Sequence, residues 1–212
     1  MTADIAIPRV IIPLSVWQQM MAFVVSCPIE VNGFGVAEKI GNNIVIREAF
    51  ILDQTATEVS TVIEPTAIAM RMHQMMEEGK SAESLKLQWH SHVNMSAYFS
   101  PTDTAYIDSW QGDWLVSLVL NTRGEYECRL DMFSPFRVAF NIAPDLVLDL
   151  SPEILEHAVG ELTQHVKTPR GGLLRRRQPI KTTAPSRAMP LASVDVMHVV
   201  RPQNASLTVT EQ

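Results

Sequence analysis

Cysteine is scarce in this sequence, since Cys27 and Cys128 are the only two among 212 residues. They lie far apart, so the chain has neither the dense disulfide framework of a small secreted domain nor the Cys-x-x-Cys pair of a zinc knuckle. We interpret both as buried thiols of a cytoplasmic protein in a reducing compartment. Any metal that this chain binds must therefore be held by histidine and carboxylate side chains.

Long apolar runs are also missing. No run approaches the roughly 20 apolar residues that span a bilayer, and residues 1–14 lack the basic-then-apolar order of a signal peptide. We therefore expect no membrane segment. A chain of 212 residues, 46% of them apolar, is long enough for one sizeable globular domain.

Charge is divided unevenly along the chain. Residues 1–166 contain 9 Lys and Arg against 21 Asp and Glu, whereas residues 167–212 contain 8 against 2. We expect no nucleic-acid partner, because the acidic part would repel a phosphate backbone. We predict one domain over 1–167 and a basic tail or linker with Pro and Gly over 168–212. The tail is most simply a solvated linker, and the sharper hypotheses are that it folds back on the acidic part or docks a partner.

Apolar spacing predicts a mixed α/β (α+β) chain. Apolar and polar residues alternate over 84–92, which predicts a strand running into His90 and His92. The Ser-Pro-x-Asp order from Ser100 to Asp103 is typical of a helix start. Further predicted elements are strands near 6–12 and 136–143, helices near 14–27, 64–80 and 151–166, and hairpins over 30–54 and 113–133.

His90 and His92 stand two residues apart, so on a strand both side chains point to the same face. A helix that starts about ten residues later can bring Asp103 to the same place. Two nitrogens and one oxygen make three protein ligands, which leaves a fourth tetrahedral position, as in catalytic rather than structural zinc sites. Ser100 is near enough in sequence to donate a hydrogen bond to a developing oxyanion.

These positions match a known signature. His90, His92, Ser100 and Asp103 fit H-x-H-x7-S-x2-D, and the chain resembles the JAMM zinc metalloproteases of the MPN-domain family over roughly residues 8 to 145. Members place a glutamate before a glycine on an early strand, and Glu30 in "PIEVNGFGV" matches it. One departure is Val93, where many members have proline after the second histidine.

The resemblance implies an MPN-type three-layer fold, a curved mixed β-sheet with helices on both faces. It implies that His90, His92 and Asp103 bind Zn²⁺. Glu30 would act as general base, and Ser100 would help to stabilise the tetrahedral intermediate. The implied reaction is cleavage of an isopeptide or peptide bond at the C-terminus of a ubiquitin-like protein, a deubiquitinase-like activity.

Several alternatives remain open at this point. Glu38 and Glu48 are rivals of Glu30 for the role of base. Instead of an isopeptidase, the chain could remove a small adduct such as cysteine from a sulfur-carrier protein, or serve as a non-catalytic MPN scaffold. A homodimer and E1- or E2-like pathway partners are further hypotheses. Trp89 is interpreted as a core residue, and the methionines of the second helix are interpreted as core filler: Met70, Met72, Met75 and Met76.

Overall fold

The computed structural model describes residues 7–56 and 61–166. The predicted tail over 168–212 lies outside these residues. In chain order the elements are β1 (Arg9–Pro13), α1 (Leu14–Ser26), β2 (Asn32–Ile40), β3 (Asn43–Ile51), β4 (Gln54–Ala56), β5 (Thr61–Ile63), α2 (Pro65–Glu77), a 3₁₀ turn (Ala82–Ser84), β6 (Leu85–Ser91), α3 (Pro101–Asp108), β7 (Trp114–Leu120), β8 (Tyr126–Met132), β9 (Val138–Asn141), β10 (Asp145–Val147) and α4 (Pro152–His165).

The described residues fall into two units, which divide after Val147. The second unit contains α4, whose start is capped by the Ser151 hydroxyl accepting a hydrogen bond from the Ile154 N–H. This confirms the predicted helix near 151–166. None of the helices in the described part of the chain has the length and hydropathy needed to cross a bilayer.

The first unit is built on an eight-stranded mixed sheet with the strand order β10-β1-β3-β2-β6-β7-β8-β9. The strand pairs β10–β1, β1–β3 and β6–β7 are parallel, and the other pairs are antiparallel. The predicted hairpins are confirmed as β2–β3 and β7–β8. In the centre of the sheet, Asn32 at the start of β2 lies opposite His90 near the end of β6.

Helices cover both faces of this sheet, as predicted. On β2, Phe34 and Val36 pack with Met75 of α2. The alternating residues Gly33 and Gly35 face the other way, because side chains on a strand alternate between faces. On that second face lies the larger apolar cluster, to which α1 contributes Val16, Met20 and Val24.

Trp89 is a fully buried core residue, as predicted from the sequence. Its ring stacks on Phe23 of α1 with the centroids 5.9 Å apart. Gly33 is its partner across β2 and β6, and a side chain at Gly33 would overlap the Trp89 indole and lie 2.5 Å from the Phe50 carbonyl oxygen. The close approach of the two strands therefore requires glycine at this position.

Two expectations need correction. Of the α2 methionines, Met75 is fully buried, but Met70 and Met76 are 72% and 59% exposed and Met72 is also exposed, so only Met75 is core filler. Helical spacing alone does not say how much of a helix its neighbours cover. Both cysteines are free thiols as predicted, but Cys27 is only partly buried.

We predict that Gly33→Ala lowers the free energy of unfolding by at least about 3 kcal/mol, the upper end of the usual cost of overpacking. The added methyl group meets both a ring and a backbone carbonyl, neither of which moves easily. Urea denaturation followed by tryptophan fluorescence would measure the change.

Gly160→Ala is the matched control, because it adds the same methyl group inside α4, where no atom of the described residues other than the helix's own adjoining backbone lies within 4 Å. Replacing a helical glycine by alanine is worth up to about 1 kcal/mol of added helix stability. A loss at Gly33 no larger than about 0.5 kcal/mol would contradict the argument from close packing.

Candidate metal centre

The two histidines reach the cluster from the end of β6. His90 lies on the strand, and its neighbour Trp89 points into the opposite face of the sheet. His92 follows the last strand residue, and its N–H donates to the Leu120 carbonyl of β7. Both imidazoles are buried, each only 5% exposed. The end of β6 and its hydrogen bond to β7 thus position both rings.

Asp103 reaches the cluster from the first turn of α3. Ser100 caps this helix, with its hydroxyl accepting from the Asp103 N–H at 3.2 Å. In return, Asp103 Oδ2 accepts from the Ser100 N–H at 2.7 Å, which completes a capping box. The helix start therefore holds the Asp103 carboxylate in a fixed direction, as the Ser-Pro-x-Asp order predicted.

The ligand atoms of His90, His92 and Asp103 lie within 4.8 Å of one another. The two Nε2 atoms are 3.2 Å apart, and His90 Nε2 is 3.5 Å from Asp103 Oδ2. Zinc–nitrogen bonds of about 2.0–2.1 Å at tetrahedral angles would separate two nitrogen ligands by about 3.3 Å. The spacing and the donor types therefore fit zinc. Within residues 7–56 and 61–166, these three form the one convergent group of three such side chains.

The tautomer of His92 also fits a metal ligand. His92 Nδ1 lies 2.9 Å from the Ser96 carbonyl oxygen, which can only accept a hydrogen bond. Nδ1 therefore carries the proton, and in the neutral ring Nε2 has a free lone pair on the side of the cluster. Tyr98 packs edge-on against the His92 ring with centroids 4.9 Å apart, a contact that the sequence did not predict.

The Asp103 carboxyl is ionised at neutral pH. Burial alone would raise its pKa, but hydrogen bonds and charge interaction with His90, together with hydrogen bonds from Ser100, outweigh burial and lower the pKa to about 2. A negative oxygen is thus available beside the two imidazoles. This is the charge state that a metal ligand requires.

Glu30 lies just before β2, close enough to His90, His92 and Asp103 for its carboxyl to interact with them electrostatically. Partial burial raises the pKa of its carboxyl, the nearby His92 and His90 oppose this rise, and Asp103 adds to it. The Glu30 carboxyl therefore interacts electrostatically with all three residues of the cluster. Its rivals, Glu38 and Glu48, are in ion pairs elsewhere.

Glu38 accepts a hydrogen bond from Arg47 Nε at 2.9 Å. Glu48 binds Lys80 Nζ at 2.7 Å and Arg71 Nη2 at 3.3 Å. Both carboxylates are therefore already paired with cations in ordinary surface ion pairs. The carboxyl of Glu30, by contrast, interacts electrostatically with the cluster, and its role as the base stays a prediction.

A comparison with protein families bears directly on this cluster. The family model for prokaryotic homologs of the JAB domain (Prok-JAB) matches residues 13–131, which is more than half of the chain. The chain belongs to the Prok-JAB family. JAB or MPN domains are often zinc-dependent hydrolases, although the family includes non-catalytic members as well.

Solved structures support the same fold. The solution structure of protein DSY2949 from Desulfitobacterium hafniense aligns with this Prok-JAB chain at a TM-score of 0.50 and 15% sequence identity. The alignment covers 67% of this chain and 94% of that protein. At this identity, the likeness concerns the fold alone. A search of curated proteins found no match.

Val93, the residue at which this JAB domain departs from many members, has a φ of 44°. Proline is locked near a φ of about −65° and cannot adopt this conformation. The Val93 carbonyl accepts hydrogen bonds from the Thr122 N–H at 2.8 Å and the Thr122 hydroxyl at 2.9 Å. The loop after His92 thus follows a course that excludes proline, while both histidines still face Asp103.

Three further residues of the JAB domain form hydrogen bonds that hold the Glu30 segment in place, and local sequence patterns do not predict these contacts. Ser91 accepts from the Val31 N–H at 3.0 Å and is fully buried. The Gln54 side chain bonds both the N–H and the carbonyl of Asn32 at 2.9 Å, as a neighbouring strand would. The Thr61 hydroxyl donates to the Glu30 carbonyl at 3.2 Å.

We predict that the purified JAB domain binds about one zinc per chain and that His92→Ala loses it, because two ligands bind far more weakly than three. Zinc should also raise the melting temperature of the wild type, since a ligand that binds the folded state stabilises it. Metal analysis and thermal melts with and without zinc would measure both effects.

His73→Ala serves as the control. His73 is exposed on α2 and contacts Glu77 there, so it changes the histidine count without touching the cluster. Its zinc content should equal that of the wild type. Equal zinc content in His92→Ala and the wild type would contradict the assignment of this centre.

Proposed function

We propose that this Prok-JAB protein is a zinc-dependent hydrolase that cleaves the isopeptide or peptide bond after the C-terminus of a ubiquitin-like protein. The observation that carries the proposal is the convergence of His90, His92 and Asp103 with the carboxyl group of Glu30 beside them. The family and its frequent zinc-hydrolase activity support the reaction class. The resemblance to the JAMM proteases supports the substrate class.

His90 Nε2, His92 Nε2 and a carboxylate oxygen of Asp103 would hold the zinc ion. When bound, zinc supplies Lewis-acid chemistry, which polarises a carbonyl oxygen and makes water a nucleophile near neutral pH. The buried imidazoles and the capped α3 hold this geometry before substrate arrives. Little reorganisation is then needed during the reaction.

Glu30 would act as the general base of this hydrolase. Its carboxylate would take a proton from the attacking water and pass it to the leaving amine. The ties of the neighbouring backbone to Ser91, Gln54 and Thr61 limit the movement of this segment. The carboxylate would therefore stay within reach of the cluster through both proton transfers.

Ser100 would assist as a hydrogen-bond donor. Its oxygen accepts the Asp103 N–H in the capping box, and its hydroxyl, which also hydrogen-bonds the Asp103 carboxylate, would rotate to donate to a developing oxyanion. The same side chain thus combines a structural and a chemical role. Ser100 would serve both roles from its one position in the motif.

We predict that Glu30→Gln binds zinc normally but hydrolyses substrate at least about 100-fold more slowly, because the amide cannot accept the proton. The assay would use a ubiquitin-like protein joined through its C-terminus to a lysine side chain, to a linear peptide and to cysteine. The preferred leaving group would separate an isopeptidase from a protease of sulfur-carrier adducts.

Glu38→Gln is the matched control, since it makes the same change on a carboxylate that pairs with Arg47. It should retain wild-type turnover. Zinc-loaded wild type that cleaves none of the three substrates would reject the proposed function in favour of a scaffold. Glu30→Gln with wild-type turnover would reject the assigned base.

A further inference from the structure

The loop that follows His92 is held by the turn between β7 and β8. Asn121, at the start of this turn, is fully buried. Its Nδ2 donates to the Met95 carbonyl at 2.8 Å and to Glu125 Oε2 at 2.6 Å. A buried side chain thus links a turn to a loop 26 residues away in sequence.

The hydrogen-bonding capacity of the Asn121 side chain is fully used. Its Oδ1 accepts from the N–H groups of Arg123 at 3.0 Å and Glu125 at 2.9 Å, which shapes the turn. The two Nδ2 protons go to Met95 and Glu125. Since an amide offers two donors and two acceptor positions, no other orientation of this side chain satisfies the same partners.

Met95 lies one residue before Ser96, whose carbonyl receives the Nδ1 proton of His92. The Met95 N–H also donates to the His92 carbonyl at 2.7 Å, which closes the loop on itself. Asn121 therefore fixes the peptide that precedes the hydrogen-bond acceptor of the His92 ring. Groups that orient a metal-binding histidine in this way set its tautomer and its affinity for the metal.

We propose that Asn121 is a positioning residue, which holds the 92–96 loop so that the Ser96 carbonyl keeps His92 in the Nδ1–H tautomer with Nε2 facing the metal. This proposal rests on the metal centre of the proposed function. Asn121 itself touches neither the cluster nor substrate. Its effect reaches the ring only through the backbone of Met95 and Ser96.

Asn121→Asp is the variant that tests it. The substitution keeps the size and the oxygen that accepts the two turn N–H groups, but it replaces the donor with an oxygen that faces the Met95 carbonyl and Glu125. We expect long-range ¹H–¹⁵N spectra of the metal-free wild type above pH 8 to show His92 as a single Nδ1–H tautomer. In the variant we expect a tautomer mixture and about 10- to 100-fold weaker zinc binding, measured by competition with a chromophoric chelator.

Thr122→Val is the control on the same turn. It removes the hydroxyl bonds to the Val93 carbonyl and Asn94 Oδ1 but leaves the Asn121 amide in place. It should keep both the tautomer and the zinc affinity. If it weakened zinc binding as much as Asn121→Asp, the effect would belong to the loop in general, and the proposal would be wrong.

The other outcomes are equally decisive. An Nε2–H tautomer of His92 in the wild type would overturn the proposal without any variant. So would an Asn121→Asp protein in which only the tautomer or only the zinc affinity changes, or neither does. Should that variant fail to fold, Asn121→Ser replaces it, because serine keeps an oxygen for the turn but cannot reach Met95.

A wild type that binds no zinc refutes the proposed function, while its tautomer still reports on Asn121.

Discussion

The antiparallel pairing of β2 with β6 is the constraint on which the metal centre depends. It places the start of β2 opposite the end of β6, and the Ser91 hydroxyl and N–H both bond the backbone of Val31. The segment with Glu30, which lies just before β2, is thereby held near His90 and His92, although it is 60 residues earlier in the chain. The pairing in turn requires Gly33, because the indole of the strand partner fills the space that a side chain would need.

The alternation of side chains lets β6 serve two purposes at once. Trp89 anchors the strand in the apolar layer below α1, and His90 on the opposite face joins the polar cluster. Burying imidazoles is costly unless their nitrogens have partners. The Ser96 carbonyl is the partner of His92 Nδ1, and the Asp103 carboxylate faces His90 Nε2, so each buried imidazole has a polar partner for at least one ring nitrogen.

The start of α3 provides the hydrogen bonds that the Asp103 carboxylate requires. A buried charge needs hydrogen bonds, and the N-terminus of a helix offers unpaired N–H groups. Asp103 accepts the Ser100 N–H and faces His90 with the same oxygen. The capping box is therefore a support for the ligand as well as the start of a helix. Because capping depends on adjacent residues alone, this part of the site was predictable.

What the sequence by itself determined follows from local signals: the strand period, the helix cap and the spacing that bring His90, His92 and Asp103 together. The family resemblance already favoured Glu30 among the glutamates, whereas the tertiary structure alone decided the exposure of Met70 and the link from Asn121 to the histidine loop. These features depend on contacts between residues far apart in the chain. Local periodicity carries no information about such contacts, because strand order and register arise only when the sheet assembles.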